Sequence, residues 1–435
     1  MIISVFGLGY IGLPTASILA SHQIKVIGVD VNPEVIKTIN QGKIHIIESG
    51  LESMVQSAVQ KGFLKAAKKP EKADVFIIAV PTPFKVNHEP DLSFIESATR
   101  AIAKVLDKGN LVILESTSPV GTTEKMLEWI QEERPDFSYP KFGNDSFEAD
   151  IALAYCPERV LPGDVLNELV QNDRIIGGVS SKCSEKAVHL YKVFVKGNCM
   201  ITDCRTAELG KLVENSFRDV NIAFANELSI ICDKLSIDVQ ELIEFANHHP
   251  RVNILQPGPG VGGHCIAVDP WFIINSAPDE AKLIHSARLV NDNKPNFVMK
   301  KVNYAVSIIN KNQSEIKIAC LGLAFKPNID DLRESPALNI AHQLSLMGFN
   351  KISLVEPNIN EIPNILDIKQ ILLDSVREKI DNQISRTKSE ESSPKNTTLY
   401  FSLLTETKDL IKATMVMLEI YNEQYDSKVK PPKKQ

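Results

Sequence analysis

The chain opens on Ile2-Ile-Ser-Val-Phe-Gly-Leu-Gly-Tyr-Ile-Gly12, an apolar run that leads into a Gly-x-Gly-x-x-Gly motif. A second apolar run, Lys25–Val29, follows after a helical stretch. A strand, a glycine-rich turn, a helix and a second strand are the context in which this motif binds a dinucleotide. Gly7 permits the tight turn, Gly9 lets the backbone approach a pyrophosphate, and Gly12 allows close packing. The sequence therefore predicts a dinucleotide-binding α/β domain at the N-terminus.

An acidic residue, Asp30, ends the second run. Its carboxylate can accept hydrogen bonds from ribose hydroxyls and would repel a 2′-phosphate, so the motif favours NAD over NADP. The N-terminus of the helix that follows the glycine turn favours the charge of the phosphates. The alternatives are a flavin nucleotide and a turn that binds no nucleotide.

Further apolar runs and helical stretches alternate along the first half of the chain. Residues 75–80 and 111–115 are predicted as strands, and residues 14–21 and 93–106 as helices. Because β and α elements alternate, we expect a doubly wound parallel sheet. In residues 206–245 proline and glycine are scarce and apolar residues recur at three- and four-residue spacing, which predicts one nearly continuous helix.

A second α/β pattern begins after this helical region. Residues 316–321 and 351–355 are predicted as strands, with a helix over 335–346 between them. The fold class predicted from the whole chain is therefore α/β, with two Rossmann-like lobes joined by a central, mostly helical domain. The polar segment 376–398 is predicted to be a mobile surface loop.

The composition excludes several classes of protein. A net charge of −6 over 435 residues gives no basic footprint for nucleic acid or an anionic membrane. No apolar run approaches the roughly 18–20 residues of a membrane span, and the N-terminus does not resemble a signal peptide. The seven cysteines are scattered, with no Cys-x-x-Cys pair, which favours free thiols in a reducing cytoplasm.

One cysteine stands in a special context. Four glycines and two prolines fall within residues 257–263, and His264, Cys265 and Asp269 follow. A flexible glycine-rich loop beside a histidine and an acid is a setting in which a thiol acts as a nucleophile. The alternative is a buried structural cysteine. A zinc site is disfavoured because adjacent residues rarely share one tetrahedral ion, so no metal is predicted.

Charged side chains in two further segments are candidates for the same site. Lys211, Asn215 and Arg218 lie at i, i+4 and i+7 on one helix face, where they could stabilise an oxyanion and bind a phosphate. Glu158 and Arg159 are adjacent charges in a stiff segment between prolines. The alternatives are a solvated helix face for the first set and a surface salt-bridge loop for the second.

Polar residues also follow predicted strands at the edge where ligands bind. Thr82 and Thr117 come after the third and fourth runs and could contact the nicotinamide half of NAD. Turn or helix-capping threonines are the alternative. In the second lobe, Lys326 and Arg333 supply positive charge where the phosphates of a nucleotide would lie.

Together these features predict a two-step oxidation of a nucleotide-linked sugar. A primary alcohol would lose a hydride to give an aldehyde, and Cys265 would capture that aldehyde as a thiohemiacetal. A second oxidation would give a thioester, which water hydrolyses to the acid. Lys211 and Asn215 would stabilise the oxyanion. The groups expected to position water or move protons are Asp269, Glu158 and Thr117.

Several motifs in combination identify a resemblance. G-L-G-Y-I-G, V-P-T-P, E-S-T-S-P-V-G-T-T, C-P-E-R-V-L-P-G, E-L-G-K-L-V-E-N-S-F-R, G-V-G-G-H-C and F-K-P-N-I-D-D-L-R-E-S-P resemble the UDP-glucose/GDP-mannose dehydrogenase family over about residues 1–360. The resemblance implies an NAD-binding domain over 1–195, a central helical dimerisation and catalytic domain over 196–300, and a UDP-sugar-binding domain over 301–435. It also implies a homodimer in which some arginine contacts come from the partner subunit.

The resemblance assigns roles to individual positions. The nucleophile falls on Cys265, the lysine and asparagine on Lys211 and Asn215, and the water-handling aspartate on Asp269. The implied cofactor contacts are Tyr10, Ile11, Asp30, Thr82, Thr117 and Arg333. The implied substrate contacts, besides Lys211 and Asn215, are Arg159, Val160, Arg218, His249, Arg251, Gly262, Phe325 and Lys326.

The loop around Cys265 narrows the substrate. Cys265-Ile-Ala-Val-Asp269 differs from the Phe/Leu-Pro-Lys-Asp that follows the cysteine in the glucose and GDP-mannose branches, and it resembles the branch that oxidises UDP-N-acetyl-D-mannosamine to UDP-N-acetyl-D-mannosaminuronate for surface polysaccharides. UDP-N-acetylglucosamine or UDP-glucose 6-dehydrogenation is the alternative. The segment 376–398 and the one around Lys412 depart from the family pattern. Rival classes are a single-step NAD dehydrogenase and a non-catalytic NAD-binding regulator.

Overall fold

The structure is a computed structural model of the chain. It describes residues 1–357, with gaps at 47, 86, 144–147, 161–163, 310, 327–330 and 350. The predictions for residues 376–398 and for the segment around Lys412 lie outside the described residues.

The chain divides into two compact units. Among the described residues, 1–313 and 323–340 form the first, and 314–322 with 341–357 form the second. The three-domain limits expected from the resemblance stay a prediction.

An eight-stranded sheet forms the centre of the first unit. Its strands are β1 (Ile2–Phe6), β2 (Lys25–Val29), β3 (Leu64–Ala67), β4 (Val75–Ile78), β5 (Leu111–Leu114), β6 (Ala152–Tyr155), β7 (Arg174–Gly178) and β8 (Cys199–Asp203). They are ordered β3-β2-β1-β4-β5-β6-β7-β8. Strands β4 and β5 are fully buried, as expected for strands covered on both faces. The crevice that binds ligands in such sheets lies where β2 and β4 diverge from β1.

The doubly wound sheet is confirmed, with one departure from the expected direction. β6 and β7 pair antiparallel, while the other neighbouring strands of this sheet are parallel. The predicted third and fourth strands end two residues and one residue earlier than expected, at Ile78 and Leu114. The chain turns at these points into the loops that carry Thr82 and Thr117.

Within the described ranges, seven helices accompany the strands of this sheet. They are α1 (Gly12–Ser21), α2 (Pro33–Asn40), α3 (Leu51–Gln60), α4 (Ser93–Ala103), α5 (Thr122–Glu133), α6 (Val165–Gln171) and α7 (Ser181–Tyr191). α1 begins at the third glycine of the turn and is buried along almost all of its length. It is therefore fixed against the sheet with its N-terminus at the crevice.

Four more helices follow, and one of them corrects a prediction. They are α8 (Cys204–Leu235), α9 (Val239–Asn247), α10 (Asp269–Ser276) and α11 (Lys282–Ile308). The nearly continuous helix expected over 206–245 is interrupted once, because Ser236 adopts a left-handed conformation with φ 58° and ends α8. Asp238 then caps α9 by accepting hydrogen bonds from Gln240 N and Glu241 N. α8 and α11 pack side by side.

The second unit contains a short parallel pair, β9 (Ile318–Leu321) and β10 (Ile352–Val355). Helix α12 (Pro336–Leu346) lies between them in the chain. The predicted order of strand, helix and strand is confirmed.

Candidate active site

The glycine-rich turn has the geometry that its sequence predicts. Gly7 has φ +83°, and a Cβ there would lie 2.5 Å from Ala79 O. A Cβ on Gly12 would lie 1.8 Å from Gly7 O, so the turn closes on itself only with glycine. A Cβ on Gly9 would meet no atom within 4 Å. The backbone at Gly9 therefore faces open space that a ligand can approach.

Two polar side chains border this turn. Asp30 Oδ2 accepts a hydrogen bond from Leu8 N at 2.9 Å, and Asp30 Oδ1 accepts one from Asn32 N at 2.9 Å. The carboxylate is thus held at the end of β2, and each oxygen keeps a further acceptor site. Thr82 Oγ1, beyond β4, is buried without a hydrogen-bond partner among the described residues. Such a hydroxyl is available to a ligand amide.

The loop after β5 is tied to its surroundings at both ends. Ser116 Oγ donates to Val80 O at 2.7 Å, which links it to the loop that carries Thr82. At the other end, the buried carboxylate of Glu208 on α8 accepts hydrogen bonds from Gly121 N at 2.6 Å and from Thr123 N at 2.8 Å. Thr117, half-buried, lies between these anchors.

The glycine-rich loop before Cys265 packs against Phe325 and against residues 333–336. A Cβ on Gly262 would lie 2.6 Å from Glu334 O and 2.7 Å from Phe325 Cβ, and one on Gly263 would lie 2.7 Å from the Phe325 ring. Gly263 N donates to Arg333 O at 3.1 Å. Glycine is therefore required here because the loop and the Phe325 segment are in direct backbone contact.

Groups from three parts of the chain lie around Cys265. Asp269 begins α10, one turn after Cys265, and Asp269 N donates to Cys265 O at 2.9 Å. Asn215 Nδ2 on α8 donates to Asp269 Oδ2 at 2.6 Å. Lys211, one turn earlier on α8, donates from Nζ to Glu158 O at 2.6 Å. A helix spacing of four residues thus places a carboxamide on Asp269, one turn after Cys265, and an ammonium close enough for its charge to act on the thiol.

The charges of this cluster act on one another. Cys265 is open to solvent as a residue, but the protein atoms around its side chain desolvate the thiolate, and with the Asp269 charge they raise the thiol pKa to about 11, while Lys211 lowers it. Burial raises the pKa of Asp269 to about 6, against the effects of Asn215 and Lys211. Burial likewise raises the pKa of Glu158 to about 7, against Lys211. Shifted pKa values of this kind cluster at catalytic sites.

Comparison with protein families decides the identity of this arrangement. Residues 1–195 match the NAD binding domain of the UDP-glucose/GDP-mannose dehydrogenase family, residues 205–293 match its central domain, and residues 319–391 match its UDP binding domain. The chain belongs to the UDP-glucose/GDP-mannose dehydrogenase family. It is an NAD-dependent nucleotide-sugar dehydrogenase, and NAD is its cofactor.

Individual members of the family are closely similar. A UDP-N-acetyl-D-mannosamine dehydrogenase of Campylobacter jejuni is 61% identical over 384 residues, which cover 87% of this chain and 93% of that protein. One from Escherichia coli K12 is 60% identical over 368 residues, 84% of this chain and 87% of that protein. A solved structure of the corresponding Pyrococcus horikoshii enzyme has 43% identity and a TM-score of 0.76, covering 83% of this chain and 84% of that one.

The glycine turn of this dehydrogenase fits NAD. The open backbone at Gly9 leaves room for a pyrophosphate, and Asp30 keeps acceptor capacity toward a ribose. The Thr82 hydroxyl, which has no hydrogen-bond partner among the described residues, lies beyond β4. Tyr10 is exposed on the turn and Ile11 precedes α1. Both positions thus border the cofactor crevice.

Arg333 and Arg159 lie near the site but are engaged elsewhere. Arg333 pairs with Asp331 at 2.6 Å. Asp331 raises the pKa of the Arg333 guanidinium, and Tyr10 adds to this effect. The Arg333 charge in turn lowers the pKa of Cys265. Arg159 forms a salt bridge with Glu214 on α8 at 2.6 Å, so its charge is paired within the subunit in this structure. Val160 N donates to the Glu158 carboxylate and bends this loop back on itself.

Four predicted substrate residues are exposed. Arg218 lies on the open face of α8, and Lys326 on the Phe325 segment. His249 and Arg251 follow the end of α9, where Arg251 N donates to His249 Nδ1 at 3.3 Å. Within the described residues, these side chains make no hydrogen bond or ion pair with the Cys265 cluster. A single subunit therefore does not bring them to the nucleophile through direct contacts.

Sequence reasoning missed buried acids beneath the site. Glu208 is fully buried and anchors the Thr117 loop, although its place three residues before Lys211 resembled an exposed helix face. Glu115, also buried, accepts from Tyr191 Oη at 2.6 Å and lies 3.9 Å from Arg174. Their signal in the sequence was a charged residue inside an otherwise apolar pattern. Such a pattern does not show which partner neutralises the charge.

No group of three His, Cys, Asp or Glu side chains suited to a metal ion occurs among the described residues. Within the same part of the chain, no helix combines the length and the apolar character needed to cross a membrane.

Proposed function

We propose that the chain oxidises UDP-N-acetyl-D-mannosamine to UDP-N-acetyl-D-mannosaminuronate with two NAD+. The observation that carries this proposal is the meeting of Lys211, Asn215 and Asp269 at Cys265, since a nucleophile beside oxyanion donors serves acyl chemistry. The relatives from C. jejuni and E. coli that carry this activity in their names cover most of the chain.

The reaction balances as two oxidations and one hydrolysis. NAD, when bound, takes up one hydride from C6 of the sugar in each oxidation, and one proton is released each time. Between the two oxidations the Cys265 sulfur adds to the aldehyde carbon and forms a thiohemiacetal. The second oxidation leaves a thioester, and water then cleaves the carbon–sulfur bond to give the acid and the free thiol. Covalent capture keeps the aldehyde from escaping.

Different polar side chains of the site stabilise negative charge and transfer protons. Lys211 Nζ and Asn215 Nδ2 stabilise the oxygen on C6 when it carries negative charge. Asp269, with a pKa of about 6, is ionised at neutral pH and can accept the proton of the thiol. Glu158, with a pKa of about 7, can both give and take a proton near neutrality. We assign the positioning of water to Thr117.

Binding roles follow from the same arrangement. The proposed NAD contacts are Gly7, Gly9, Tyr10, Ile11, Gly12, Asp30, Thr82, Thr117 and Arg333. The proposed UDP-sugar contacts are Arg159, Val160, Lys211, Asn215, Arg218, Gly262, Phe325 and Lys326 in one subunit, with His249 and Arg251 supplied by the partner subunit. When the substrate binds, Arg159 would release Glu214 and contact the substrate instead.

One relative supports a second candidate substrate. A protein of Ralstonia nicotianae named NDP-N-acetyl-D-galactosaminuronic acid dehydrogenase is 59% identical over 370 residues. Such similarity leaves the configuration of the N-acetylhexosamine open to a galacto sugar. We favour the manno substrate because several relatives at 58–61% identity are named for it.

The surface of α8 supports a homodimer. Apolar side chains recur along one side of this helix with exposed fractions of 41–69%: Leu209, Val213, Phe217, Phe224 and Ile231. A row of this kind on a monomer indicates a surface that another protein covers, and a second copy of the chain is the partner we propose. A reaction that needs a free thiolate suits the reducing cytoplasm, where we place the enzyme.

The stoichiometry of NADH tests the reaction. Purified protein is given excess NAD and a limiting amount of UDP-N-acetylmannosamine, beside UDP-N-acetylgalactosamine, UDP-N-acetylglucosamine, UDP-glucose and GDP-mannose. Two NADH per molecule of UDP-N-acetylmannosamine, and little from the others, is the expected result. Two from another sugar would keep the mechanism and replace the substrate. One NADH, or none from any sugar, would overturn the four-electron reaction.

Replacing the nucleophile tests the mechanism. Because the thioester needs the sulfur, we expect Cys265→Ala to form no uronate, as measured by mass spectrometry of the products. Cys232→Ala is the matched control, since Cys232 is buried in α8 away from the loop. Uronate formation by Cys265→Ala at the normal rate would assign the chemistry to another residue.

A further inference from the structure

Four polar side chains are buried where α8 packs on α11, outside the site described above. Asp219 and Asn226 of α8 are fully buried, and Arg288 and Asn291 of α11 are 1% exposed. Arg288 Nη1 and Asn291 Nδ2 donate to Asp219 Oδ1 at 2.5 and 2.8 Å. Asn226 Nδ2 donates to Asn291 Oδ1 at 2.9 Å. Burial of polar groups at such a contact costs free energy unless they are hydrogen-bonded.

One atom of this network reaches outside the helix pair. Asn226 Oδ1 accepts a hydrogen bond from Gly258 N at 2.8 Å. Gly258 starts the glycine-rich loop that ends at Cys265. The same loop passes over α11 at Gly260, where a Cβ would lie 3.2 Å from Asn291 O. The network is therefore in contact with the start of the loop that carries the nucleophile.

The other end of the loop is held by the same helix. Asn215 binds Asp269, one turn after Cys265, and Asn226 binds Gly258, seven residues before Cys265. Asn215 and Asn226 are eleven residues apart, about three turns of an α-helix, so they lie on the same face of α8. Two carboxamides of one rigid helix thus fix both ends of the loop.

We propose that Asn226 is a positioning residue for Cys265, held in its orientation by Asn291. This inference rests on the proposed role of Cys265 as the nucleophile. Loss of the anchor at Gly258 leaves the loop attached at Asp269 but free at its start. The thiol then spends less time at the position where it captures the aldehyde, and the aldehyde escapes after the first oxidation.

The test compares Asn226→Leu with Ser229→Ala. Ser229 lies on α8 one turn later and bonds Lys294 of α11, so its variant weakens the helix contact but leaves the loop bond intact. Both are assayed for NADH, uronate and trapped aldehyde, for KM and kcat, and for the rate at which iodoacetamide labels Cys265 without substrate. Melting temperatures are measured alongside.

We expect Asn226→Leu to lower kcat for uronate about tenfold, the effect of about 1.4 kcal/mol from one lost hydrogen bond. Its KM for NAD should stay unchanged, it should release aldehyde with one NADH each, and its Cys265 labelling rate should change. Ser229→Ala should keep two NADH per uronate. If Asn226→Leu releases no aldehyde and labels like Ser229→Ala, the positioning role is wrong. If wild-type protein itself yields no second NADH, the proposed function fails instead.

Discussion

Lys211 is held by an oxygen that is not its proposed target. Its Nζ donates to the backbone oxygen of Glu158 at 2.6 Å, which fixes the ammonium beside Cys265 before any substrate binds. A donor fixed in advance needs no rearrangement when charge develops on the substrate oxygen. The helix spacing of Lys211 is visible in the sequence, whereas the backbone oxygen that orients its ammonium is seen only in the structure.

Removing this ammonium should therefore slow the chemistry more than binding. We expect Lys211→Ala to lose about 2–4 kcal/mol of transition-state stabilisation, in line with loss of an oxyanion donor. The measurement is kcat with saturating NAD and UDP-sugar. Lys234→Ala, an exposed lysine in the last turn of the same helix, is the control. An unchanged kcat in Lys211→Ala would exclude Lys211 from the reaction centre.

The Cys265 thiol should stay protonated up to high pH in the free enzyme. Burial and Asp269 raise the pKa of Cys265 to about 11, so the thiol is protonated at neutral pH and reacts faster as the pH rises. Asp269→Asn removes a negative charge, which should lower that pKa and speed labelling by iodoacetamide at about pH 8–9. Labelling is followed by mass spectrometry of the Cys265 peptide. A labelling profile identical to wild type would show that the Asp269 charge does not act on the thiol.

At the residue level, the sequence predicted well which residues belong to the site and predicted poorly which residues they contact. Cys265, Asp269, Lys211 and Asn215 were each singled out by spacing or context, and the structure brings them together. Arg159 was also singled out, but its contact with Glu214 was not foreseen. A side chain's chemistry is local information, whereas its partner depends on residues far away in the chain.

At the scale of elements, Glu208 connects α8 to the loop after β5. Its buried carboxylate accepts bonds from Gly121 and Thr123 at the start of α5. Burial nevertheless raises its pKa from 4.5 to about 7. The folded state therefore binds a proton more tightly than the unfolded state does, and this group's contribution to stability falls as the pH rises from about 4.5 to 7.

Glu208→Gln removes that titration. We expect the free energy of unfolding of wild type, relative to Glu208→Gln, to decrease as the pH is raised from about 4.5 to 7, and to level off above it. Urea unfolding at several pH values measures the difference. Glu227→Gln, at an exposed position of the same helix, is the control. A difference that stays constant over this range would contradict the raised pKa.

The elements themselves were predicted with uneven success. Strands β1 and β2 agree with the sequence to the residue, because apolar β-branched runs flanked by glycine and an acid have sharp ends. The break at Ser236 was missed, since serine in a left-handed conformation has no distinctive pattern. The antiparallel pair of β6 and β7 was missed as well, because strand direction depends on how the chain returns to the sheet.

At the scale of the molecule, one subunit supplies the nucleophile but leaves charged substrate residues exposed. Arg251 lies beyond α9 and forms no ion pair with the Cys265 cluster within the described residues, while α8 presents a row of exposed apolar side chains. Both features suit a dimer in which the α8 surfaces meet and each subunit lends a cation to the other's site. The resemblance to the family implied a dimer with arginine contacts from the partner subunit, but not which surface forms the interface.

Complementation tests whether Arg251 acts across the dimer. Cys265→Ala and Arg251→Ala are each expected to be inactive as pure proteins. In a hybrid dimer, action across the interface gives one site with both defects and one site with neither. Random 1:1 assembly makes half of the dimers hybrid, so the co-expressed mixture should recover about 25% of wild-type activity. If Arg251 serves its own subunit, each site keeps one defect and the mixture stays inactive. Co-expression of Cys265→Ala with Lys211→Ala is the control. Both residues act in the site of their own subunit, so each site of the hybrid dimer keeps one defect and the mixture should recover no activity.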